Sequence, residues 1–375
     1  MNANHALVFR ILIKAALLFV LLNLLFALLS PLDFLGRMSI YNSLVPGRVR
    51  LPYGEDPRAY NLSLNNLEAM FASHEISQSK AADEYRVVLI GDSSVWGILL
   101  RPEETLTGFI NEAGLTLDSG KQIRVYNLGH PILALSKDLL LLDYAMRDEP
   151  DLIVWLTTLR SFPREKQFDA PLVQHNADDI RQLFTILNLD YGLNDSRLVE
   201  PTFLERTIVG QRRELADWLR LQLYGIMWSI TGIDQYYPDS YMPRTSDFEQ
   251  DLSWEDIDEP QLLTEAELSF DLIEAGHQIA GDVPLLLVNE PIFISSGQNS
   301  DLRYNFWYPR WAYDQYRDLF TAIAEERGWH YLDFWDSIDG AEFTDSPVHL
   351  TPAGSRQLAE QLSEALLSTA NNEGN

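Results

Sequence analysis

Hydrophobic and polar positions divide the chain into two regimes. Residues 7–29 are almost continuously apolar, interrupted by Arg10, Lys14 and Asn23, and that length suffices for a membrane-crossing helix. Beyond them come short apolar runs of strand length at 87–90, 151–156, 284–288 and 331–334, with a further strand expected at 124–127. Runs of Val, Ile and Leu without polar alternation suit strands covered on both faces, as in a parallel sheet. Between the runs lie stretches of helical period. Leu64, Leu67, Met70 and Phe71 mark one over 62–76; others cover 105–113, the leucine-rich 132–146, and 215–230 with Trp218, Leu219, Leu223 and Trp228. After Thr351, a good N-cap, and Pro352, suited to a first turn, Leu358, Leu362, Ala365 and Leu366 recur at helical spacing.

The expected organisation is a transmembrane anchor at 7–29, a membrane-proximal connector and helix at 30–83, and an α/β domain at 84–370 with an insertion at about 163–280. The uncharged part of the anchor, 15–29, is short, so Lys14 must snorkel toward the headgroups. A cleaved signal peptide is the rival. No small-x-small site marks Ser30-Pro31-Leu32-Asp33, and a chain without cysteine has no lipobox, so an uncleaved single-pass anchor is expected. Arg10 and Lys14 precede the apolar core, which favours a cytoplasmic N-terminus and an extracytoplasmic domain; Arg37, Arg48 and Arg50 beyond it count against that orientation.

Charge narrows the partners. A formal net charge of −27 over 375 residues disfavours both nucleic acid and an anionic membrane surface as partner. With no cysteine, disulfides and a thiol nucleophile are excluded. His130, before Pro131, is expected to be a structural histidine, with pocket lining as the alternative; the histidines at 5, 74, 175, 277 and 330 show no ligand spacing, and the acidic stretch 247–259 lacks the order of an EF-hand, so neither a metal site nor a cofactor is indicated.

The chemistry concentrates where the first strand breaks into Gly91-Asp92-Ser93-Ser94. Parallel sheets bind ligands at the carboxyl ends of their strands, which is where Ser93 would stand. Its hydroxyl needs a base to become a nucleophile, and His349, on a short loop before the last helix, is the candidate.

Gly91-Asp92-Ser93 early in the chain, with Asp345 and His349-Leu350-Thr351-Pro352-Ala353-Gly354 late, resembles the SGNH (GDSL-type) hydrolase superfamily. The resemblance implies a flavodoxin-like three-layer α/β/α domain around a central parallel sheet, with Ser93 and His349 as catalytic pair and Asp345 orienting the histidine. Asn127-Leu128-Gly129 looks like the family's second block, which implies that the Gly129 amide joins that of Ser93 in an oxyanion hole.

Two departures stand out. After the third strand the family usually carries Gly-x-Asn-Asp, whereas this chain has Thr157-Thr158-Leu159-Arg160, leaving Thr158, Thr157 or Arg160 to replace the Asn. Loss of one oxyanion donor costs roughly a hundred- to a thousand-fold in rate. The family's aspartate stands three residues before the histidine; here Ser346 holds that place and Asp345 is one further back, so either a bulge brings it within reach or a backbone carbonyl orients the ring.

Asp92, Asn289 and Glu290 are substrate-pocket candidates, with cap or loop-end roles as the alternative. The aromatic segment 304–311 suits either a sugar-binding wall or core packing. The resemblance implies an esterase or O-acyltransferase acting through an acyl-serine on an acylated envelope glycan, beside a membrane-bound O-acyltransferase partner. Kept beside it are a catalytically weak glycan-binding or assembly protein and a lipase-like esterase.

Overall fold

The computed structural model describes residues 3–54, 58–198, 200–237, 240 and 244–373. The chain begins with a long helix α1 (Ala3–Leu29), the short α2 (Pro31–Gly36) and α3 (Leu67–Ser73), the last capped by Asn66, whose side chain accepts the Ala69 amide. Then come β1 (Glu84–Ile90), α4 (Ser93–Trp96), α5 (Leu106–Glu112), β2 (Gln122–Asn127), α6 (Leu135–Ala145) and β3 (Leu152–Thr157). The segment before the next strand carries α7 (Pro171–His175), α8 (Ala177–Ile186), α9 (Arg212–Thr231) and α10 (Phe270–Ala280). The chain closes with β4 (Leu285–Asn289), α11 (Arg310–Arg327), β5 (His330–Asp333) and α12 (Pro352–Glu373).

The five strands form one sheet in the order β2-β1-β3-β4-β5, every pair parallel. Leu89 stands opposite Asn127 on one side and Val154 on the other, which aligns the carboxyl ends of β2, β1 and β3. Strand order reverses between β1 and β3, and such a switch point opens a crevice at the carboxyl edge.

The sheet is buried on both faces, as its unalternating sequence predicts. Val88, Ile90, Ile153, Trp155 and Leu287 face one core shared with α3, α6, α10 and α11. Val87, Leu89, Val154, Leu286 and Val288 face a second, closed by α5 and α12. Each fully buried aliphatic side chain contributes about 1.5–3 kcal/mol, so these two layers hold the fold. The polar residues at the foot of β1 are paired: Arg86 Nε lies 2.6 Å from Glu84 Oε1 and its other nitrogens reach the carbonyls of Ile76, Gln78 and Asp148.

Within 163–280, the last helix, α10, is the crossover between β3 and β4, with Gly276 seated on the Trp155 ring, where an added Cβ would come within 2.5 Å. It is preceded by α7, α8 and α9 and an irregular stretch of chain. Among the described residues, one helix, residues 5–29, is long and apolar enough to cross a membrane.

Candidate active site

The first turn after β1 is built for close approach. A Cβ on Gly91 would lie 2.6 Å from the Val95 side chain and 3.0 Å from the Leu156 carbonyl. Asp92 then caps α4, its Oδ1 accepting the Ser94 amide at 2.7 Å, and Gly97 at φ +85° ends it. Ser93 opens the helix, where the first backbone N–H groups have no intrahelical acceptor.

The opposite wall comes from the chain before α12. An antiparallel bridge between Phe343 and Leu350, with the Thr344 amide donating to the His349 carbonyl at 2.8 Å, folds 343–350 into a tight loop. Thr351 caps the helix that follows by accepting the Gly354 amide at 3.1 Å. The loop presents His349 toward Ser93: Nε2 lies 2.9 Å from Ser93 Oγ, and Nδ1 lies 3.0 Å from Asp345 Oδ1. Burial pushes the Asp345 carboxyl up, but the hydrogen bond and charge attraction of His349, with a further bond from Thr344 Oγ1, outweigh it and hold Asp345 below the usual carboxylate range. A carboxylate on Nδ1 fixes the ring's tautomer, leaving Nε2 to accept the serine proton. This arrangement can generate a serine nucleophile.

The expected oxyanion donors are differently engaged. Gly129 packs directly on the α4 backbone, where a Cβ would stand 2.4 Å from the Trp96 nitrogen. Its amide donates to Asn127 Oδ1 at 3.1 Å, while Asn127 Nδ2 donates to the Val95 carbonyl at 2.7 Å. Thr158 is fully buried, and its hydroxyl pairs with the Tyr308 hydroxyl at 3.0 Å. The Ser93 amide stands at the first position of α4.

The three substrate-pocket candidates lie inside the protein, which corrects that expectation. Asp92, Asn289 and Glu290 are 5%, 0% and 2% exposed. Asn289 Nδ2 donates to Asp333 Oδ1 at 2.8 Å and its Oδ1 accepts from Tyr316 and Tyr313, so it ties β4 to β5 and α11. Glu290 accepts the Ser94 hydroxyl. Burial, then the adjacent Asp92 charge, pushes its carboxyl well above the usual range. Polar residues at a strand's carboxyl end read as pocket-lining in sequence; here they turn inward, Asp92 and Glu290 onto Ser94 in the turn after β1 and Asn289 onto β5 and α11.

Other supports gave no sequence signal. Lys137, fully buried, donates to the carbonyls of Gly91 at 2.8 Å and His130 at 2.6 Å and pairs with Asp138 at 2.6 Å. Burial raises the Asp138 carboxyl to about 6 even against the lowering effect of Lys137. Arg50, from the connector, donates to the Gly97 and Leu100 carbonyls at 2.9 Å and pairs with Asp234 of the segment after α9 at 2.8 Å. His130 is a buried structural histidine; burial, then the Lys137 charge, lowers it to about 3.

Of the aromatic segment, Tyr304 and Tyr308 are core residues, and the Trp311 indole donates to the Leu252 carbonyl at 2.7 Å. Phe306 is exposed, and Arg160 lies 4.8 Å from the ring centre of the partly buried Trp307. Among the described residues, no group of three His, Asp or Glu side chains is arranged to hold a metal ion.

No family model and no curated protein matches the chain. Among solved structures it is similar to a GDSL-like lipase from Bacteroides thetaiotaomicron, at 10% identity and TM-score 0.39, over 81% of this chain and 98% of that one. It is also similar to a carbohydrate acetylesterase from Sinorhizobium meliloti, at 11% identity and TM-score 0.35, over 76% of this chain and 99% of that one. A member of the lipolytic protein G-D-S-L family from Veillonella parvula matches at 11% identity and TM-score 0.35, over 74% and 96%.

Proposed function

We propose that the chain is a membrane-anchored SGNH-type serine ester hydrolase or O-acyltransferase. The observation that carries this reading is the hydrogen-bonded chain from Ser93 Oγ through His349 to Asp345, at 2.9 and 3.0 Å. Strand order 2-1-3-4-5, with Ser93 at the β1/β3 switch point, supports a flavodoxin-like α/β/α SGNH domain.

In the first half-reaction Ser93 Oγ attacks the ester carbonyl carbon while His349 Nε2 takes the hydroxyl proton. Asp345 stabilises the imidazolium. Charge collects on the former carbonyl oxygen, where the Ser93 amide, and that of Gly129 once released from Asn127, would bind it. Collapse breaks the bond to the alkoxy oxygen, which leaves as the alcohol with the proton from His349, and an acyl-serine remains. Water as acceptor makes the protein an esterase; a sugar hydroxyl makes it a transferase. Either acceptor loses its proton to His349, and Ser93 recovers one as it leaves.

The ester is proposed to be an acyl, foremost acetyl, ester of an envelope glycan, with the acyl group supplied in the transferase case by a membrane-bound O-acyltransferase. The exposed Phe306 ring beside Trp307 and Arg160, at the carboxyl edge of β3, supports a sugar-stacking surface. The apolar helix α1 supports a single-pass anchor, with Arg10 and Lys14 on the cytoplasmic side and the domain outside.

One observation favours a second reading. With the Gly129 amide and the Thr158 hydroxyl both committed within the protein, a catalytically weak SGNH-like glycan-binding or assembly protein fits as well. Hydrolysis of p-nitrophenyl acetate by the full chain in detergent separates the two. The enzyme reading expects turnover that disappears in Ser93→Ala and His349→Ala; folded wild type with no turnover above those variants favours the binding reading.

A further inference from the structure

The stretch 163–280 reaches back to α1. Val209, two residues before the helix-bearing Gln211 turn, donates its amide to Asn23 Oδ1 at 3.3 Å, and among the described side chains of α1, which are mostly exposed, Asn23 and Ala27 are the buried ones. Asn23 lies six residues before the end of α1, about 9 Å at 1.5 Å per residue. If α1 spans a bilayer, the chain around Val209 stands at the depth of its last two turns.

Its composition fits that depth. Phe203, Leu204 and Val209 are 47%, 75% and 49% exposed, although nothing in a soluble surface favours three large apolar side chains within one short loop. α9 continues the theme. Its buried positions, Leu221, Gln222 and Gly225, face the connector: Gln222 bonds the Ile40 amide and the Met38 carbonyl, and a Cβ on Gly225 would run into the Tyr41 ring. On the opposite side Leu219, Leu223, Ile226 and Ile230, at helical spacing, are exposed. Arg206, Arg212, Arg213 and Arg220 lie in the same stretch, interleaved with Glu205, Glu214 and Asp217, of which Asp217 pairs with Arg220 at 2.9 Å. An exposed apolar stripe on a helix that also carries charged side chains is the pattern of a helix at a phospholipid interface.

From these contacts we infer that residues 203–230 are a second membrane attachment, docked on the phospholipid bilayer that α1 crosses. The loop at 203–209 enters beside α1, and α9 lays its outer stripe on the same leaflet. The attachment is tied to the chemistry. Asp234, just beyond α9, holds Arg50 in a buried ion pair, and Arg50 holds the Gly97 and Leu100 carbonyls that follow Ser93. The docked segment therefore sets the height and tilt of the nucleophile turn over the membrane. This inference rests on the reading of α1 as a span.

The chain lacks cysteine, so single cysteines can be placed and labelled with bimane with no native cysteine to remove first. Full-length Leu18→Cys, Leu204→Cys, Leu223→Cys and Ser368→Cys variants are reconstituted in phosphatidylcholine–phosphatidylglycerol vesicles containing doxyl-labelled lipid. Leu18 reports α1, and Ser368, on the exposed side of α12, reports the aqueous domain. The inference expects at least two-fold quenching by doxyl lipid at Leu18, Leu204 and Leu223 and none at Ser368. Quenching at Leu18 without quenching at both Leu204 and Leu223 overturns the second attachment and leaves the anchor standing; absence of quenching at Leu18 overturns the anchor itself and the attachment with it.

Discussion

Asp345 Oδ1 stands 3.0 Å from His349 Nδ1 although the two residues are four apart in sequence. The Phe343–Leu350 bridge makes the contact possible by folding the intervening Ser346-Pro347-Val348 inward, where all three are buried. The Pro347 carbonyl is held by the Phe293 amide at 2.7 Å, so the loop is also fixed to the chain that follows β4.

Asp345→Asn keeps the shape of the loop but removes the carboxylate that selects the histidine tautomer. Esterase activity of this variant should fall by roughly 10³- to 10⁴-fold with little change in folding, measured as kcat/KM on p-nitrophenyl acetate beside a thermal melt. A loss below ten-fold would mean that a backbone carbonyl, not Asp345, orients the ring.

The Glu290 carboxyl gives a stability prediction with a definite sign. Its pKa is raised above the unfolded value of 4.5, because burial and then Asp92 favour the protonated form. The folded state binds this proton more tightly, so its contribution is fully present below pH 4.5 and is lost as pH rises through the folded-state value. Glu290→Gln, neutral at every pH, should flatten the fall in Tm on the alkaline side of that window. An identical slope in wild type and variant would show that Glu290 is not the group that titrates.

Lys137 and Asp138 are 0% and 2% exposed, so neither charge has water to turn to if its partner is removed. Lys137→Met strands Asp138 and frees the Gly91 and His130 carbonyls, and should cost about 3–5 kcal/mol by denaturant unfolding. Adding Asp138→Leu should recover part of that loss. If the double variant is no more stable than the single one, the carbonyl ties matter more than the stranded charge.

Gly129→Ala places a methyl 2.4 Å from the Trp96 nitrogen and 2.8 Å from the Val95 carbonyl carbon. Backbone cannot yield there without moving α4, so activity at Ser93 should drop at least ten-fold while the rest of the domain stays folded. Circular dichroism and p-nitrophenyl acetate turnover together check this; unchanged turnover would show that α4 tolerates the shift.

The five strands and the Ser93 and His349 positions were readable because each rests on a local signal: an unbroken apolar run, a Gly-Asp-Ser turn at its end, a capped helix after the histidine. What sequence could not supply were contacts closed by the fold. Arg50 and Asp234 meet across 184 residues, and Lys137 reaches Gly91 across 46. Asp92, Asn289 and Glu290 show the converse error. Their place at strand ends was legible, but whether a carboxyl-end side chain faces the crevice or the interior depends on packing between β4, β5 and α11, for which one strand's sequence carries no information.

The central claim is that His349 and Asp345 activate Ser93. The most direct test is the rate of labelling of the full chain by a fluorophosphonate, with the modified residue identified by peptide mass. The account predicts rapid, single-site labelling on Ser93 that is absent in Ser93→Ala and slowed at least a hundred-fold in His349→Ala. Folded wild type that remains unlabelled, or labels as slowly as His349→Ala, would contradict it.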